Sequence, residues 1–157
     1  MEDFTGLLEQ LLQQESELQF EEFTNKTAVL VGSAILERAM QENKFIVVDI
    51  KKNGQPLFHG KLDGTTINND HWIQRKNNVA NHFGHSSYYM HVLLESKQTN
   101  IQEDSYLDPM DYAAEGGAFP IFIKNVGPIG TISVSGLPGE EDHGLIVSVL
   151  RDFLKAK

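Results

Sequence analysis

The chain is 157 residues long, 40% hydrophobic and 22% charged, which predicts one soluble globular domain over residues 1–157 with a core of its own. Thirteen basic residues stand against twenty-two acidic ones, a net charge of −9, so the surface repels nucleic-acid phosphates and anionic lipid and neither is expected as a partner. The absence of cysteine excludes disulfides, thiolate metal sites and thiol nucleophiles.

The first nine residues carry Glu2, Asp3 and Glu9 without a basic start or a long apolar run, and no segment approaches the roughly 18 apolar residues of a membrane span, so a cytoplasmic protein is expected. Phe4, Leu7, Leu8, Leu11 and Leu12 recur at helical spacing and predict an N-terminal helix within residues 1–17, from about Asp3 to Glu17. Leu18 to Phe23 reads as a short edge strand. Thr24 reads as the N-cap of a helix through Met40, with Val31, Ile35 and Ala39 in an i, i+4 row. Phe45 to Lys51 and Leu57 to Leu62 read as strands paired through an Asn53-Gly54 hairpin. Asp70 is the expected cap of a helix that stops at Gly84 after Phe83, and Ser86 the cap of another reaching Lys97. Gln98 to Asp111 reads as a polar, irregular stretch. Phe119 to Lys124 and Pro128 to Ser135 form a second predicted hairpin, and the last helix is expected near Asp142, its Ile146, Val149, Leu150, Phe153 and Leu154 on one apolar stripe. Hairpins with helices before, between and after them predict an α+β fold with an antiparallel sheet.

The sharpest local anomaly is in the helix that ends at Phe83. Trp72, Val79 and Phe83 lie at one edge of its apolar arc and Ile73 and Ala80 at the other, with Lys76 between them. Either Lys76 lays its methylenes on the core and carries its ammonium to the rim, or a pocket opens there and the ammonium meets an anionic ligand. Arg75 on the flank offers a fork for a carboxylate or phosphate, or a surface ion pair. The glycine- and acid-rich corner from Ser135 to His143 places hydroxyls, amides and an imidazole at a strand-to-helix junction, where oriented N–H groups favour anions. The six histidines have no metal-ligand spacing and no metal site is expected; His59, on a strand beside Leu57, reads as partly buried and hydrogen-bonded. Gly116-Gly117 reads as a turn or bulge before the Phe119 strand.

Glu115-Gly116-Gly117-Ala118-Phe119-Pro120-Ile121, the run from Gly127-Pro128-Ile129-Gly130 to Ser135-Gly136-Leu137, and Asp142-His143 together resemble the motifs of the GlcG-like, haem-binding or haem-degrading-domain superfamily. Arg75-Lys76-Asn77-Asn78-Val79 through Ser86-Ser87 is similar to its lysine-bearing helix and the hydroxyls that follow. The resemblance runs from Thr24 to Leu154, and the Trp72-x-x-Arg75-Lys76 and Ser135-Gly136-Leu137-Pro138 forms look like a small branch found in bacteria and fungi. Two departures are Ala118-Phe119 where relatives have one residue before the proline, and His143 in place of Glu or Gln. The likeness implies a profilin-like α/β/α layering around a five-stranded antiparallel sheet, assembly into symmetric homo-oligomers, and haem, a corrinoid or another small anion as ligand.

These readings together predict an oligomeric cytoplasmic binding protein with its pocket between Trp72 and the Ser135–His143 corner. Lys76 and Arg75 would neutralise the ligand's acid groups, Trp72 would stack on its flat part, and Ser135 with the amides near Gly136 would hydrogen-bond it, with Ser86, Asp142 and His143 completing the set. Two alternatives stay open: an enzyme acting on a small anionic substrate with His143 as general base beside Ser135 or Ser86, and a scaffold without small ligand, assembled through the first helix.

Overall fold

The structure is a computed structural model that describes residues 3–156. It contains α1 (Thr5–Glu17), β1 (Gln19–Phe20), α2 (Asn25–Gln41), β2 (Val47–Lys52), β3 (Gln55–Lys61), α3 (Ile67–Phe83), α4 (Ser87–Ser96), α5 (Ile101–Ser105), β4 (Ala118–Ile123), β5 (Gly127–Ser135) and α6 (Gly139–Lys155). No helix among the described residues is long and apolar enough to cross a membrane.

Local chemistry accounts for most boundaries. Thr24 and Thr27 form a reciprocal capping box at the start of α2, each hydroxyl accepting from the other's backbone N–H at 3.1 Å, and Ser86 Oγ accepts from Tyr89 N at the start of α4 (3.0 Å). Gly84 closes α3 in the left-handed region with φ +71°, and the Asn53-Gly54 turn has positive φ at both residues, the signature of a tight two-residue hairpin. Three expectations are corrected. The cap of α3 is Thr66, not Asp70: Thr66 Oγ1 accepts from Asn68 N, and Asn69 Oδ1 accepts from Thr66 N at 2.9 Å. Asp70 instead turns its carboxylate to Lys61 Nζ at 2.6 Å. The stretch after Gln98 contains α5, capped by Asn100. Finally, α6 begins at Gly139 rather than Asp142, because Pro138 with φ −53° is already set for a helix start.

The architecture is α+β, with one five-stranded sheet in the order β1-β4-β5-β2-β3. It is antiparallel except at one edge, where β1 lies parallel to β4 through Gln19 opposite Phe122. Its two faces differ in chemistry. Val48, Ile50, Phe119, Ile132 and Val134 are buried with Val31, Ile35 and Ala39 of α2 and Ile146, Val149 and Leu150 of α6, the apolar half of the core. On the opposite face the register brings His59, Asp49, Ser133 and Ala118 into one row across β3, β2, β5 and β4, and α3 packs over it. Asn77 of α3 accepts from Ser133 Oγ, and its Nδ2 donates to Asp49 Oδ2 at 3.5 Å. A helix laid on a polar sheet face needs such partners, because each buried group left unpaired costs about 1–3 kcal/mol.

The N-terminal helix is tied down by polar groups more than by its leucines. Leu11 is buried but Leu12 is exposed, while Glu15 accepts from Ser86 N (3.1 Å) and pairs with His85 Nδ1 (2.7 Å). Gln14 Oε1 reaches His143 Nε2 at 2.7 Å.

Candidate functional site

On α3 the inward positions are Ile73, Lys76, Asn77, Val79 and Ala80, so the middle of the buried face is polar. Lys76 is 3% exposed and its ammonium does not reach the rim. It donates to Val134 O (2.7 Å), Gly116 O (3.1 Å) and Asp142 Oδ2 (3.3 Å). Three N–H groups meet three acceptors, which is the condition for burying an ammonium at all. The seat depends on Gly117, whose φ is +130° and whose absent Cβ would collide with Lys76 Nζ and lie 2.5 Å from Val134 O. The Gly-Gly pair before β4 is thus more than a turn: it makes room for the lysine.

Asp142, in the first turn of α6, is as buried as Lys76. Its Oδ1 accepts from Leu137 N (3.0 Å) while Oδ2 takes Lys76. Burial pushes this carboxyl up to about 7, with Lys76 and the Leu137 amide opposing the shift. Burial also lowers the lysine, opposed by Asp142 and by Glu115. Burial thus works against the charge on both partners, and each partner's opposite charge supports the other's.

The pair forms one wall of a cavity of about 270 Å3 that also takes in Asn69, Trp72, Glu115, Ser135 and Gly136. Of the predicted site residues, Trp72, Lys76, Ser135, Gly136 and Asp142 therefore come together. Asn69, missed in the sequence, donates through Nδ2 to Ser135 Oγ (3.3 Å); its place three residues after a capping threonine was the available signal. The N-terminus of α6, at Gly139, borders the same cavity and has no side-chain cap; Pro138 O takes the Glu141 and Asp142 amides (2.9 and 3.0 Å), which leaves those of Gly139 and Glu140 for an anion.

Arg75, Ser86 and His143 do not line this cavity. The Arg75 guanidinium lies 4.5 Å from the Trp72 ring centre and donates to Pro109 O at 2.6 Å. It lines an adjoining cavity of about 360 Å3, with His91, Leu94 and Tyr112, that shares Trp72 and Glu115 with the first. Ser86 is fully buried and occupied as the α4 cap. His143 points from the other side of α6 into a nest of Gln14, Tyr88 and Phe119, with ring centres 5.1 and 6.0 Å away. Its Nδ1 has no hydrogen-bond partner among the described residues. The alternation of α6 explains this: consecutive residues Asp142 and His143 lie about 100° apart on the helix, so one faces α3 and the other α1. His59 is exposed rather than partly buried; it is hydrogen-bonded through Nδ1 to Asp49 Oδ1 (2.9 Å), and its Nε2 lies 3.0 Å from Asp70 Oδ1. No group of three or more His, Asp or Glu side chains that could hold a metal occurs among the described residues.

Burial pushes His143 down to about 4 from an ordinary 6.5. Between those values the unfolded chain binds the extra proton, so stability present above about pH 6.5 is lost as the pH falls toward 4. The raised Asp142 acts with the opposite sign in part of the same window, so a comparison between variant and wild type isolates the histidine. His143→Gln is expected to gain on wild type by roughly 1.4 kcal/mol for each pH unit below 6.5 until about pH 4. Urea unfolding of both proteins across that range checks it; a constant gap would contradict the burial of this ring.

The model of a family described as haem-degrading protein, HbpS-like, matches residues 23–151. The UPF0303 protein SCO2848 of Streptomyces coelicolor is 42% identical over 145 residues, covering 92% of each chain. Among solved structures, the Ybr137w protein superposes with a TM-score of 0.88 at 34% identity, covering 95% of this chain and 88% of that one. The PduOC:heme complex superposes with a TM-score of 0.64 at 17% identity, covering 77% and 87%, a likeness of fold. The buried lysine helix, the Gly116-Gly117 seat and the corner before α6 all lie inside the matched span, and this chain belongs to the HbpS-like family.

Proposed function

We propose that this protein binds a small anionic molecule in the cavity between Trp72 and the corner leading into α6, and works as a homo-oligomer in the cytoplasm. The observation that carries this reading is the Lys76 ammonium, held at the cavity wall in a chain of net charge −9. Beside it the uncapped start of α6 supplies the amides of Gly139 and Glu140, Ser135 a hydroxyl, and Trp72 a flat apolar wall. Arg75 acts from behind, stacked on Trp72 and setting its ring. A cavity of about 270 Å3 is near the lower end of the roughly 300–1,000 Å3 usual for small-molecule sites, which suits a ligand of carboxylate or phosphate size.

Haem enters through the family and through PduOC, a protein of this fold crystallised with it. The residues beside Lys76 do not suit haem iron: among the described residues no His, Tyr, Met or Cys lines that cavity, and those are the customary axial ligands. The adjoining cavity does contain His91 and Tyr112, and these are the side chains that would hold haem iron there, His91 only after giving up its contacts with Ala114 O and Glu95. The reading in which His143 is a general base loses its geometric support, since that ring is enclosed away from the cavity.

Calorimetric titration of the purified protein with small carboxylates and inorganic phosphate, and spectroscopic titration with haemin, tests the proposal. Wild type is expected to bind at least one small anion and Lys76→Ala to bind it at least about tenfold more weakly. Equal binding by the two proteins would remove Lys76 from the role. Native mass spectrometry of the protein as purified counts subunits, and a monomer would end the oligomeric part.

A further inference from the structure

Lys76 already has a carboxylate. Two of its three acceptors are backbone carbonyls, Val134 O at 2.7 Å and Gly116 O at 3.1 Å, held by the strand and by the glycine pair; the third and longest contact, 3.3 Å, is Asp142 Oδ2. That oxygen belongs to the one movable acceptor of the three, and both Lys76 and Asp142 border the cavity. The other carboxylate oxygen is anchored separately on Leu137 N at 3.0 Å, so the side chain can release the ammonium and keep its hold on the chain before α6.

We propose that Asp142 is a resident stand-in for the ligand: an incoming carboxylate replaces it as the third partner of Lys76, and Asp142 takes up one proton from solvent as it is displaced. The inference rests on the anion-binding reading above and adds its regulation. Charge forces the coupling. Among the described residues Lys76 from α3 is the only cation lining the cavity, whereas Asp142 from α6 and the half-exposed Glu115 from the loop before β4 both line it. Glu141 on α6 adds to the negative field at Asp142, while His143 faces Gln14 on the other side of the helix. A third carboxylate entering beside two ionised ones would meet two like charges in a partly dehydrated space, and neutralising Asp142 removes the nearer of them. Its carboxyl, held by burial at about 7, is poised for that step near neutrality, and the protonated group can donate its new O–H to the bound anion.

The proton balance is definite: above the titration range of Asp142 each anion bound takes up one proton, and below it none. Acetate is a suitable probe, since it stays ionised from about pH 6 upward. Its affinity for wild type is expected to be level below about pH 7 and to fall about tenfold per pH unit above it. Calorimetry at about pH 8 in two buffers of different ionisation enthalpy should report uptake of one proton per site. Asp142→Asn keeps an acceptor for Leu137 N and removes the competing charge, so it should bind acetate at least about tenfold more tightly than wild type at that pH and lose the pH dependence. If that variant does not fold, the two wild-type measurements decide alone. Acetate binding that requires Lys76 yet is unchanged between about pH 6 and 9, or that takes up no proton, overturns the displacement and leaves the anion reading standing. No acetate binding by wild type or by Asp142→Asn at any pH overturns both.

Discussion

Lys76→Met is expected to cost the fold about 3–5 kcal/mol, the range found when one member of a buried ion pair is removed. The methionine fills nearly the volume of the lysine stem, so packing changes little, and the loss is electrostatic. Val134 O and Gly116 O lose their donor, and Asp142 is left buried without its cation. The carboxyl has a way out, since burial has already raised it to about 7 and without Lys76 it rises further and stays protonated. The cost should therefore be near 3 kcal/mol in mild acid and grow with pH as the isolated carboxyl resists ionisation. Urea unfolding at two pH values measures both the size and the slope. A loss under about 1 kcal/mol at either pH would mean that the three contacts on this ammonium are worth no more than a surface pair. Adding Asp142→Leu to Lys76→Met should recover part of the loss but not all of it, because the two carbonyls remain without a donor.

Gly117→Ala is expected to be of similar size, at least about 3 kcal/mol, for a different reason. The backbone there has φ +130°, which an L side chain rarely adopts, and the new methyl would run into Lys76 Nζ and Val134 O, neither of which is free to move. Strain of about 1–3 kcal/mol from the backbone and a similar amount from overpacking act together. Gly144→Ala is the matched control. That glycine lies within α6 with open space where its Cβ would be, and alanine there should stabilise by about 0.5–1 kcal/mol through helix propensity. Chemical denaturation of the two variants under one condition separates them. If Gly117→Ala behaved like Gly144→Ala, the glycine seat assigned to the lysine would be wrong.

The local code was legible wherever neighbouring residues alone decide the outcome. Asn53-Gly54 specifies a hairpin because both residues tolerate positive φ, and Ser86 and Gly84 mark a helix start and stop because each satisfies backbone groups a few residues away. The same reasoning failed at Asp70, where five capping-type residues, Thr65, Thr66, Asn68, Asn69 and Asp70, crowd six positions around one helix start. It failed again at α5, five residues held by an asparagine cap in an otherwise polar run. The parallel edge strand β1 is a two-residue element whose partner is about a hundred residues away in the chain, and no local pattern encodes that pairing.

The site shows the same division. Periodicity alone put a lysine in the middle of an apolar helix face, and the glycine-rich corner marked where an anion-friendly helix start would be. Those two facts, the α+β class and most of the elements follow from the order of residues. Which partners the lysine takes was decided only by tertiary structure, because Gly116, Val134 and Asp142 reach it from 40, 58 and 66 residues away. The same packing turned Arg75 toward Pro109 and enclosed His143 against Gln14. Hydrophobic spacing records whether a side chain faces inward; the acceptors it meets there depend on how strands and helices from distant parts of the chain come together.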